Sequence, residues 1–199
     1  MSSTVDRREA RKAATRQRVQ EQALRLFLAQ GYDATTVDQI AAAAGVSHMT
    51  FFRYFPTKES VVDTDDFDPM LEALIRSRPA EEDPLTAIGR ALVAALERIL
   101  PTGRDALLER TRLIMTTPAL RARQADQQHA TRVLLAEALA GRAGLAAATF
   151  RLEVLAAAAL GALTTALGTW NDRNGEPDLI DLVDEAFAAL RTPAGLPDR

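Results

Sequence analysis

GYDATTVDQIAAAAGVSHMTFFRYFPTKESV, residues 31–61, holds two short helical patterns joined at a single glycine. Thr35 and Thr36 offer an N-cap, and Val37, Ile40, Ala41 and Ala44 then recur at the spacing of one helix face. Gly45 ends that helix and Val46 serves as a buried pivot. Ser47 caps a third helix over His48–Tyr54, which Pro56 prevents from extending. Ile40, Ala41, Val46, Phe51 and Phe55 fall on the inner side, leaving His48, Met49, Thr50, Phe52 and Arg53 outward. Two helices meeting steeply across a small-residue turn make a helix-turn-helix, whose second helix can enter a major groove.

Upstream, Val19, Ala23, Leu26 and Phe27 predict a helix from about Arg8 to Gln30, stopped by Gly31, with a basic outer face. Residues 1–9 read as a disordered arm. Downstream, Thr57 can cap a fourth helix running from Lys58 to about Ser77, and the acidic Pro79–Pro84 stretch reads as a loop. Asp83 and Pro84 start a helix ending before Pro101, and another is expected over Arg104–Met115. Pro118 opens one reaching Gly141, and two more cover about Ala147–Asp172 and Pro177–Arg191. With no period-two runs of β-branched residues, the fold class is all-α, about nine helices. The predicted domains are 1–56 and 57–199, the latter regulatory.

Charge is uneven along the chain. The net is −3, but residues 1–58 hold nine Lys/Arg against five Asp/Glu (+4), and 59–199 hold fifteen against twenty-two (−7). The basic end is the candidate nucleic-acid face. The most apolar stretch, Val154–Leu163, is shorter than the roughly 20 residues that span a bilayer. No signal peptide is evident and there is no cysteine, so a cytoplasmic setting is expected. The two histidines, His48 and His129, are far apart and no Gly-rich phosphate loop occurs. Neither an enzyme, a metal site nor a cofactor is expected.

Residues 16–62 closely resemble the signature of the TetR family of one-component repressors. The Gly-Tyr turn, the paired threonines, the Ala-Gly-Val-Ser turn, the aromatic third helix and the Lys-Glu pair carry the likeness. The resemblance implies a homodimer that grips palindromic double-stranded operator DNA and releases it when a small, largely apolar effector enters the C-terminal domain. It implies phosphate contacts from Thr36 and Lys58. The DNA-binding set is Thr36, Ser47, His48, Met49, Thr50, Phe52, Arg53, Tyr54 and Lys58. Phe52 departs from the family's usual tyrosine and has no hydroxyl to donate to a phosphate, so it is expected to pack on a sugar or thymine methyl.

Two late helices with apolar faces suit an intersubunit four-helix contact. The expected interface is Leu152, Leu155, Ala156, Ala159, Leu160, Leu163 and Leu167 with Leu179, Leu182, Val183, Ala186, Phe187 and Leu190. Apolar residues on the central helices, Leu92, Leu96, Leu113, Met115, Leu134, Phe150 and Trp170, are candidate pocket walls, with ordinary core packing as their competing role. The arginines between Arg110 and Arg123 could meet an anionic head group. The effector, the operator sequence and the regulated genes are not encoded legibly.

Overall fold

The computed structural model describes residues 2–63 and 67–191. Among them lie eight α-helices: α1 (Ser2–Gln30), α2 (Val37–Ala43), α3 (His48–Tyr54), α4 (Phe67–Arg76), α5 (Pro84–Thr116), α6 (Pro118–Arg142), α7 (Phe150–Asp172) and α8 (Leu179–Arg191). A 3-10 turn occupies Glu59–Val62. No strand occurs among the described residues.

The chain divides into two compact units. The first comprises residues 1–63 with 113–123, and the second comprises 64–112 with 124–199. The first therefore runs past residue 56 and recruits the end of α5 and the start of α6. Its core gathers Val19, Ala23 and Phe27 of α1, Ile40 and Ala41 of α2, and Phe51 and Phe55, together with Leu113 and Leu120. Arg123 fastens the α6 start electrostatically, its Nη2 donating to Asp63 Oδ2 at 2.6 Å, while Gln20 of α1 donates to the Asp63 carbonyl at 2.5 Å.

Three elements differ from the sequence reading. Helix α1 already begins at Ser2, so the first residues are helical and not an irregular arm. The fourth helix does not start at Lys58. Thr57 and Ser60 exchange capping hydrogen bonds at 3.2 Å, closing a 3-10 turn, and α4 starts only at Phe67. Helix α5 passes through Pro101 without a break, which merges two expected helices into one of 33 residues. Proline removes the hydrogen bond to the carbonyl four residues back and its ring crowds that carbonyl, which favours a kink over a stop when the carbonyl can tilt outward. Both Pro101 and Glu97 lie on the exposed face, so water can satisfy that carbonyl. At the start of α5, Asp83 Oδ1 accepts from the amides of Leu85 and Thr86 as expected.

In the second unit, Leu152, Ala156, Ala159, Ala162, Ala166 and Trp170 form the buried stripe of α7. They pack with Leu71, Ile75, Ile88, Leu92, Leu135, Leu139, Val183 and Phe187 in one core. By length and composition α7, at 23 residues, could cross a membrane, contrary to the shorter stretch read from sequence. Its buried stripe instead makes it a core helix of this unit.

Candidate DNA interface

The helix-turn-helix forms as the capping residues dictate. Gln39 N–H donates to Thr36 Oγ1 at 3.2 Å, and the Gln39 side chain accepts from Thr36 N–H at 2.9 Å, a complete capping box on α2. Thr36 remains exposed, whereas Thr35 is buried, donating to the Gly31 carbonyl at 2.8 Å. Gly45 has φ +64°, the left-handed conformation the tight turn requires. Ser47 Oγ then accepts from Thr50 N–H at 3.1 Å and opens α3.

Helix α3 has one buried face. Phe51 and Phe55 have no exposed surface, while Val46 is only partly buried. Met49 is 83% exposed and Phe52 41%, and Ser47, His48 and Arg53 are also open, with Thr50 and Tyr54 half-buried. Phe52 has a structural partner that the sequence did not disclose: its ring lies 4.9 Å from that of His48, whose Nδ1 is 2.6 Å from Asp38 Oδ1. Asp38 went unnoticed because no helical period links it to His48. Only the crossing of α2 and α3 does.

Lys58 is turned inward. Its Nζ donates to the carbonyls of Tyr32 (2.9 Å) and Thr35 (3.0 Å) and sits 3.9 Å from the Tyr32 ring centroid. The Tyr32 hydroxyl donates to Glu59. Burial resists ionisation of Glu59, yet the bond from Tyr32 and neighbouring donors holds its carboxyl below the ordinary glutamate range; burial and the same contact push the Tyr32 phenol up. Lys58 thus ties the α1–α2 turn to the segment after α3. Lys58→Ala strands two carbonyls and is expected to cost about 2 kcal/mol, which a denaturant melt of the purified protein would show. An unchanged midpoint would mean that water replaces the ammonium freely.

The other predicted residues scatter. Leu113 and Met115 belong to the first unit. Phe150, 81% exposed, lies on the surface. Leu92, Leu96 and Trp170 are core residues, with Leu134 packed against them. Of the expected dimer contacts, Leu152, Ala156, Ala159, Leu179, Val183 and Phe187 are buried inside their own chain, because that face of α7 and α8 is the one that closes the second core. Leu155, Leu160, Leu163, Leu167, Leu182 and Ala186 flank it half-buried, and Leu190 is 40% exposed. The outward face of α7 instead presents Val154, Ala157, Gly161, Thr164 and Thr165. With Gln128, His129 and Arg132 of α6, part of this face lines an open groove of about 550 Å³. The arginines are engaged too: Arg123 on Asp63, Arg112 on Asn174 at 3.2 Å and Arg121 on the Met115 carbonyl at 3.1 Å.

Comparison with known proteins agrees with this geometry. The family of bacterial regulatory proteins of the tetR type matches residues 20–64, and the MftR C-terminal domain matches residues 82–195. The chain belongs to the TetR family. The regulator MftR of Mycobacterium tuberculosis is 30% identical over 183 residues, covering 89% of each chain. The HTH-type transcriptional regulator TcmR of Streptomyces glaucescens is 39% identical over 145 residues, 69% of this chain but only 64% of TcmR. Among solved structures, FadR of Thermus thermophilus, a TetR-family repressor in complex with lauroyl-CoA, is 25% identical with a TM-score of 0.57, covering 92% of this chain and 97% of that one. As a TetR-family member the chain is a DNA-binding transcriptional regulator.

Proposed function

We propose that this TetR-family regulator is a homodimeric repressor that holds a palindromic operator through α3 of each protomer and lets go when a small apolar ligand binds the second unit. The observation that carries the reading is the outer face of α3, where Met49, His48 and Arg53 stand exposed on a helix fixed from beneath by Phe51 and Phe55. Thr36, Ser47, Thr50 and Tyr54 supply hydroxyls around that face. Arg53, and the one N–H of Lys58 left over from its two carbonyls, are suited to phosphates, while His48 and Met49 are suited to base edges.

Dimerisation is assigned to the outward face of α7. Its small side chains permit close approach of a second copy, and the half-buried leucines at its margins gain cover. Binding DNA assigns the protein to the cytoplasm, with DNA, a second copy and an effector as its partners. The lauroyl-CoA bound by the Thermus thermophilus relative suggests a fatty acyl thioester as effector, its acyl chain being the apolar part that the second unit takes up. Helices α5 and α6 each contribute residues to both units, which gives a ligand-dependent shift in the second a covalent path to the first.

The test is a fluorescence titration of a palindromic duplex selected from random sequence, with and without lauroyl-CoA. Release of the duplex at micromolar thioester is the expected result. If neither this nor shorter and longer acyl chains change the affinity, the effector assignment is wrong.

A further inference from the structure

The start of α3 carries a contact that DNA binding in itself does not require. His48 Nδ1 lies 2.6 Å from Oδ1 of Asp38, ten residues earlier on α2. The imidazole also packs on Phe52, with ring centroids 4.9 Å apart and planes at 58°, and Phe52 in turn meets the buried Phe51 edge-on at 5.4 Å and 80°. The ring is thus held by two contacts, yet the His48 side chain keeps 57% of its surface open. Among the described residues Nε2 has no protein partner.

A carboxylate has no hydrogen to give, so the proton of a neutral imidazole sits on Nδ1 and is donated to Asp38. Nε2 then keeps its lone pair, because which ring nitrogen bears the proton is set by the bond the other one makes. In the major groove only adenine N6 and cytosine N4 offer hydrogen-bond donors; guanine and thymine present acceptors, which a lone pair repels. We propose that Asp38 makes His48 an acceptor for the amino group of cytosine or adenine, and that Asp38 and Phe52 are positioning residues for operator specificity that need not touch DNA. This rests on the DNA-facing role proposed for α3.

Total affinity is a poor readout, since removing a carboxylate beside a polyanion strengthens sequence-independent binding. The decisive readout is the base preference at one position. Duplexes are selected from a random pool at about pH 8 by the full-length protein, by His48→Ala, by Asp38→Ala, by Asp38→Asn and by Phe52→Leu. At the position that His48→Ala flattens, the parent protein is expected to favour one base pair in one orientation about tenfold or more, and to lose that preference when the pair's amino group, cytosine N4 or adenine N6, is replaced by hydrogen. Asp38→Ala and Phe52→Leu should reduce that preference to about threefold or less with other positions unchanged, whereas Asp38→Asn, whose amide oxygen still accepts from Nδ1, should keep most of it. Nitrogen-15 shifts of the His48 ring in the DNA-free protein should report Nδ1 protonated and Nε2 bare in the parent, and a mixture of tautomers in Asp38→Ala.

A preference that survives replacement of the favoured pair's amino group by hydrogen, a preference that survives Asp38→Ala, or a ring protonated on Nε2 alone would overturn the proposal while leaving the DNA-binding role intact. Failure of the parent protein to enrich any sequence would overturn both.

Discussion

Gly161→Glu is expected to leave each protomer folded while abolishing the dimer, and to lower affinity for a palindromic duplex by about 10²–10⁴-fold. A Cβ on Gly161 meets nothing within 4 Å, so a side chain can leave the backbone there without a clash. Within the protomer the change should even help, because glycine in a helix interior is about 0.5–1 kcal/mol worse than alanine and glutamate is a good helix former. In a dimer built on this face the new carboxylate loses its hydration against the partner protomer, at a cost of several kcal/mol. Two half-site contacts then become independent, and the gain from linking them disappears. Sedimentation velocity checks the association state and a duplex titration the affinity, with Gly161→Ala as the variant that keeps both. A stable Gly161→Glu dimer would move the interface to another face, with the exposed end of α8 around Leu190 the next to examine.

Phe51→Ala is expected to destabilise the first unit by about 3–5 kcal/mol. Phe51 has no exposed surface, and its ring lies 5.4–5.5 Å from those of Phe52 and Phe55. Truncation leaves a cavity in a core assembled from the short helices α2 and α3 and part of α1, none of which can collapse far without breaking its caps. Helices α2 and α3 have seven residues each, too few to persist without tertiary contacts. The second unit has its own core, so urea unfolding followed by circular dichroism should resolve an early transition that the parent protein lacks. DNA binding should be lost with that transition. A melt shifted by less than about 1 kcal/mol would show that Phe51 does not anchor the recognition helix.

The helix-turn-helix was legible in the sequence because its signals are local: caps at Thr36 and Ser47, the glycine between them, and an apolar period that places Ile40, Phe51 and Phe55 on one side. Features that depend on distant residues were not. Pro101 reads as a helix stop, but on an exposed face the carbonyl it crowds can turn toward water, and the helix continues. Leu113 belongs with Phe27 and Phe51 because α5 ends in the first unit, which no local pattern reveals. Lys58 looks like a free cation until the fold brings the carbonyls of Tyr32 and Thr35 to it. On α7 the sequence offers two apolar faces. The leucine- and alanine-rich side reads as the dimer contact, whereas the structure buries Leu152, Ala156 and Ala159 internally and leaves the side of Ala157 and Gly161 outward. Hydrophobicity alone could not separate them, since both faces are built largely from small residues.

The central claim is that two protomers place α3 in successive major grooves of one duplex. Its most direct test is a salt titration of binding to the selected palindrome with stoichiometry measured at each point. Two protomers per duplex, with log affinity falling linearly against log salt at a slope of roughly −6 to −10, is the required result. One protomer per duplex, or an affinity indifferent to salt, would contradict it.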